Sequence, residues 1–151
     1  MCVERQTGVD ELLARARARL QRLAPREALQ AADAGGLIVD IRSERQRQAQ
    51  GLVHGAHFVE RNVLEWRADP RCPHQDPVLT NVRGPLILMC AQGYQSSLAA
   101  ASLQELGLAQ ATDIDGGFER WRAEGLPVLP PARAPRASGV RGHPSGSDQP
   151  A

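Results

Sequence analysis

Lysine is absent from the 151 residues: all 18 basic side chains are arginines, set against 17 acidic ones for a formal net charge of +1. Beside the abundant alanine, this bias reads as the coding habit of a GC-rich genome and carries no mechanism. The near balance of charge removes any global electrostatic reason to expect nucleic acid or an acidic surface as a partner. Long apolar runs are also missing. No stretch approaches the roughly 20 residues that cross a bilayer, and MCVERQTGVD holds no apolar signal core, so a cytoplasmic protein without membrane contact is expected. Cysteine is scarce: Cys2, Cys72 and Cys90 are odd in number and widely spaced. That argues against a disulfide framework and leaves each a free thiol in a reducing compartment.

What is present fits one domain with tails, since the length allows one core of ordinary size and 42% of residues are hydrophobic. Residues 1–22 hold an amphipathic helix with Val9, Leu12, Leu13, Ala16 and Leu20 on one stripe and Arg15, Arg19 and Arg22 turned away as a solvated face. The stripe is expected to cover the domain's own sheet layer. Residues 23–128 form the domain, and 129–151, rich in proline, glycine, serine and arginine, a disordered tail.

Within the domain, Pro25 opens a helix that Gly35-Gly36 stops. LIVDI (37–41) reads as a buried parallel strand, and SERQRQAQ as a short helix capped by Ser43 and ended by Gly51. GAHFVE (55–60) is a candidate strand, and RNVLEWR (61–67) a short helix with Val63, Leu64 and Trp66 packing inward. Residues 69–85 hold four prolines and read mostly as loop. LILMC (86–90) is a strand, SSLAAASLQELG (96–107) a helix, ATDID (111–115) a short strand and FERWRAEG a last helix. Strands alternating with helices predict an α/β, three-layer domain with a mostly parallel central sheet flanked by helices. In such sheets ligands bind beyond the carboxyl ends of strands, where Cys90 stands.

Cysteine at a strand end is commonly core. Here Ala91, Gln92, Gly93, Tyr94 and Gln95 follow, and Ser96 opens a helix. A thiol at that point faces backbone donors and the positive end of a helix dipole, conditions that favour a nucleophilic thiolate. Gly93 lets the loop bend, and Ser96 is expected to satisfy helix N–H groups.

Four segments together resemble the rhodanese domain of single-domain sulfurtransferases: LIVDIR, with its Asp-x-Arg; GLVHGAHFVE, which keeps Gly51, Gly55 and Ala56; CAQGYQS, like Cys-x-x-Gly-x-Arg-Ser; and DIDGGFERWRAEGLPV, with Gly116, Gly117, Trp121, Gly125, Pro127 and Val128 in step. The resemblance implies that Cys90 attacks the sulfane sulfur of a small thiosulfate- or persulfide-type donor, becomes a persulfide, and passes that sulfur to a thiol or another nucleophile, either a small molecule or a protein. It also implies that Ala91, Gln92, Gly93, Tyr94, Gln95 and Ser96 line the substrate pocket. Asp40 and Arg42 support it nearby, as a structural ion pair rather than as chemical groups.

The chain departs from the family at Gln95, where arginine is usual, so a fixed charge for an anionic donor is missing and weak use of thiosulfate is expected. Leu52 and His54 replace the usual histidine and proline, a tolerated loop variation. A phosphatase or arsenate-reductase reading on the same fold is disfavoured, because that loop is one residue longer and closed by arginine. The alternative from another class is a non-catalytic rhodanese-like module that binds or senses sulfur. No metal or other cofactor is expected, since Cys72 and His74 have no second ligand pair at a supporting spacing. If its loop folds over the site, Cys72 is a candidate to resolve a Cys90 persulfide. Trp66 and Trp121 are assigned to the core, and Cys2 and His143 to the termini without function.

Overall fold

Residues 7–131 are described by the computed structural model; Cys2, His143 and most of the expected tail lie outside them. Four strands, β1 (Leu37–Asp40), β2 (His57–Phe58), β3 (Leu86–Met89) and β4 (Thr112–Asp113), form a sheet in the order β2-β1-β3-β4 with every pair parallel. Leu23 adds a parallel bridge to Ile114 at the β4 edge. Among the described residues, seven α-helices surround it: α1 (Val9–Ala18), α2 (Pro25–Asp33), α3 (Glu44–Gln50), α4 (Leu64–Ala68), α5 (Pro77–Thr80), α6 (Gln95–Glu105) and α7 (Gly117–Ala123).

The period-2 alternation of strands divides the core between the two faces of the sheet. Val39, Leu86, Leu88 and Cys90 pack with Leu64, Leu79, Ala99, Ala100 and Leu103 on the face covered by α4, α5 and α6. Ile38, Ile87 and Met89 point to the other face, against Ala28 of α2 and Phe118 and Trp121 of α7. Because β3 is central and buried on both faces, its run is continuously apolar. The same parity sends Cys90, one residue past its end, to the α6 side.

Several elements differ from the sequence expectation. The strand expected over 55–60 is two residues long, pairing only with Val39 and Asp40. A 3₁₀ turn, Arg61–Val63, precedes α4; Leu64 and Ala68, four apart, take the buried stripe, and Trp66 on the opposite side is 56% exposed rather than core. Helix α1 lies on α6 instead of on the sheet, with Ala16 buried and Val9 and Leu12 left 71% and 49% exposed. At the other end, Leu129 exchanges two backbone hydrogen bonds with Leu52, at 2.9 and 2.7 Å, so the chain is held as far as that residue.

Candidate active site

Cys90 leaves β3 into a tight loop that returns as α6. Its Sγ accepts hydrogen bonds from the Gly93 N–H at 3.2 Å and the Ser96 N–H at 3.4 Å, and its thiol donates to Ser96 Oγ at 3.3 Å. The residue is 6% exposed and packs within the apolar cluster under α6. The two amides belong to the turn and the first residues of an 11-residue helix, so the sulfur sits where unsatisfied N–H groups and the helix dipole both favour negative charge.

The outer side of the loop is tied as firmly as the inner. The N–H groups of Phe118 and Glu119 at the start of α7 donate to Cys90 O at 2.9 Å and Ala91 O at 3.0 Å. Across a trans peptide the N–H lies opposite the carbonyl, so fixing these oxygens outward turns the next amides the other way. This contact requires glycine at two places. A Cβ on Gly117, at φ +60°, would stand 2.4 Å from Cys90 O and 2.7 Å from Gly93 N; one on Gly93, at φ +83°, would stand 2.8 Å from Gly116 N. The Gly-Gly pair at the start of α7 is thus a complement to the cysteine loop.

Beneath the loop stands Asp113, fully buried at the end of β4. It accepts from Ser96 Oγ at 2.8 Å, Ser97 Oγ at 2.7 Å and Arg22 Nε at 2.9 Å. Burial works against the charge of Arg22. The hydrogen bond to Asp113, with the charges of Asp113 and Asp115, outweighs it and holds the guanidinium above its ordinary pKa. Gly93 O accepts from both Arg22 and Arg17, each at 2.8 Å.

The substrate-pocket residues expected from sequence occupy distinct places. Ala91 is tied to α7, Gln92 and Gln95 are exposed, and Tyr94 is 58% exposed with its ring 5.4 Å from the Arg17 guanidinium. Ser96 corrects the expectation of a cap: α6 begins one residue earlier, Tyr94 is the residue before it with no side-chain cap, and the Ser96 hydroxyl donates to Asp113. Gln95 and Arg42 share a cleft of about 370 Å³ with Ile41, Phe58, Arg61 and Asn62.

Asp40 and Arg42 form a buried two-pronged ion pair, Nη2 to Oδ2 at 2.8 Å and Nε to Oδ1 at 3.0 Å; Arg42 also donates to Gly51 O and lies over the Phe118 ring. The pair fastens the end of α3 to the sheet and α7.

Four contributors escaped the sequence reading. Ser97 and Asp113 were legible in part, as a serine pair at a helix start and an acidic residue ending a strand beside Gly-Gly. Arg17 is placed by the docking of α1, a long-range contact. Arg22, expected on a solvated face, turns inward because it finds Asp113.

A family model described as the rhodanese-like domain matches residues 24–124. The thiosulfate sulfurtransferase GlpE of Pseudomonas paraeruginosa is 33% identical over 104 residues, spanning 68% of this chain and 84% of its own. A solved protein of unknown function from Rhodopseudomonas palustris, described as a possible tyrosine phosphatase, superposes with a TM-score of 0.75 at 30% identity, over 85% of this chain and 98% of that one. A thiosulfate sulfurtransferase from Pseudomonas aeruginosa shares the fold, with a TM-score of 0.61 at 19% identity over 82% of this chain and 23% of its own.

Proposed function

This chain belongs to the rhodanese-like family, and on that premise we propose that it is a sulfurtransferase whose Cys90 carries the sulfur. The observation that supports this most is the pair of amides, Gly93 N–H and Ser96 N–H, aimed at Sγ from the start of α6. They stabilise negative charge on the thiolate and, after loading, on the persulfide. Two displacements follow. The Cys90 thiolate attacks the outer sulfur of a donor; a new S–S bond forms, the donor's own bond to that sulfur breaks, and the leaving group departs with the bonding pair, as sulfite does from thiosulfate. An acceptor thiolate then attacks the outer sulfur of the persulfide, taking it up as its own persulfide and returning Cys90 as thiolate. No outside oxidant or reductant is required.

The named relatives that act on thiosulfate make it the reference donor. Gln95 leaves the loop without its own cation, so this chain is proposed to use thiosulfate weakly and to favour a donor with less charge, with Gln92, Tyr94 and Gln95 at the entrance shaping that choice. Phosphoryl chemistry is the poorer reading. From Cys90 to Gln95 the loop is six residues with no arginine to grip a phosphate dianion in two-pronged fashion.

Preloading the protein with donor, removing excess donor and then adding a thiol tests the proposal. Appearance of the acceptor persulfide with loss of sulfur from the protein is expected. A sulfur retained on Cys90 that no thiol removes would instead favour a sensing module.

A further inference from the structure

The family match begins at residue 24, yet two arginines that precede it meet at the active-site loop. Arg17 from α1 and Arg22 from the segment after it each place Nη2 2.8 Å from Gly93 O, and Gly93 is the residue whose N–H holds the sulfur. Two guanidinium groups on one carbonyl oxygen repel each other unless something offsets their charge. For Arg22 the offset is Asp113 and Asp115, both at 2.9 Å. Among the described residues Arg17 makes no ion pair; it donates through Nε to Ser97 Oγ at 3.2 Å and lies by the Tyr94 ring. A positive charge without a carboxylate partner therefore stands behind the loop, half-buried, where screening by solvent is reduced. Other charged groups at this place are Glu119 of α7, within reach of Gln92, and Arg120, which shares Asp115.

We propose that Arg17 and Arg22 are positioning residues of the active site, holding the Gly93 carbonyl and adding, from behind the loop, a positive charge that offsets only in part the cation absent at position 95. Holding Gly93 O outward turns the Tyr94 N–H away from the arginines, and the charge of Arg17 favours an anion at the sulfur and at an approaching donor. Helix α1 then serves the chemistry as well as the fold. The inference rests on Cys90 being the sulfur carrier.

Alkylation of the Cys90 peptide, followed by mass spectrometry with neutral iodoacetamide and anionic iodoacetate, reads positioning and charge separately, beside kcat and KM for thiosulfate. Arg17→Gln is expected to slow iodoacetate by about tenfold and iodoacetamide by only about threefold, and to raise KM for thiosulfate, with Arg17→Lys recovering most of the charge-dependent part. Arg19→Gln, which breaks only the exposed Arg19–Glu105 pair just past the end of α1, should leave both rates unchanged. Arg22→Gln is expected to act like Arg17→Gln; should it fail to fold with Asp113 unpaired, Arg17→Gln decides alone. An unchanged ratio of the two rates in Arg17→Gln, or an equal drop in Arg19→Gln, would overturn the proposal. If the native protein takes sulfur from no donor, the sulfurtransferase reading fails, while the alkylation ratio still decides the part played by the arginines.

Discussion

Ser96 and Asp113 are joined by a hydrogen bond of 2.8 Å in which the serine hydroxyl donates to a fully buried carboxylate, and the same hydroxyl accepts from the Cys90 thiol. The hydroxyl's single proton is thereby committed to Asp113, which fixes the orientation of its lone pairs toward the sulfur. Asp113→Ala would leave the Ser96 hydroxyl and the Arg22 Nε without their buried acceptor, Arg22 keeping only Asp115 and Gly93 O. A loss of about 3 kcal/mol is expected in urea unfolding, the range for breaking one side of a buried pair. Ser96→Ala should cost only about 1 kcal/mol, since Ser97 and Arg22 continue to satisfy the carboxylate.

Gly117→Ala should cost about 3 kcal/mol and suppress sulfur loading, because its Cβ would collide with Cys90 O and Gly93 N at a left-handed φ. Gly107 has φ +92° but nothing within 4 Å, so alanine there should cost about 1 kcal/mol and leave loading intact. Parallel thermal melts and loading assays of the two variants check the contrast.

Gln95→Arg should raise kcat/KM for thiosulfate by about tenfold while leaving an uncharged persulfide donor nearly unaffected, since the added guanidinium faces the cleft shared with Arg61. Equal rates for thiosulfate in the two proteins would mean that the cation at this position does not govern donor choice.

Acid should weaken the fold partly through Asp76. A hydrogen bond from His57 at 2.6 Å, aided by the Val78 N–H, holds this carboxyl below its ordinary pKa despite partial burial. A depressed folded value means the stabilisation is present above about pH 4 and is lost as pH falls through the lowered value. Asp76→Asn keeps an oxygen for Val78 but removes the charge. It should destabilise by about 0.5–1 kcal/mol at neutral pH, a difference that shrinks in urea titrations as pH falls through the lowered value.

The local parts of the site were legible because they obey short-range rules. LILM followed by cysteine, a glycine and a helix start gave the strand-loop-helix and the place of Cys90, and LIVDIR gave the end of β1 with Asp40 and Arg42. What the sequence concealed is set by contacts 71 to 91 positions apart, such as Arg22 on Gly93 O and on Asp113. Ser96 misled because serine at a helix start usually caps it, whereas a buried acceptor nearby claims the hydroxyl first. Trp66 misled because a five-residue helix has room for only one buried stripe, which Leu64 and Ala68 fill.

The mass of the Cys90 peptide after incubation with a sulfane-sulfur donor, read under non-reducing conditions, tests the carrier role most directly. The gain of one sulfur atom on that peptide, reversed by thiol and absent in Cys90→Ser, is the predicted result. An unmodified Cys90 with every donor tried, or sulfur found only on Cys72, would contradict it.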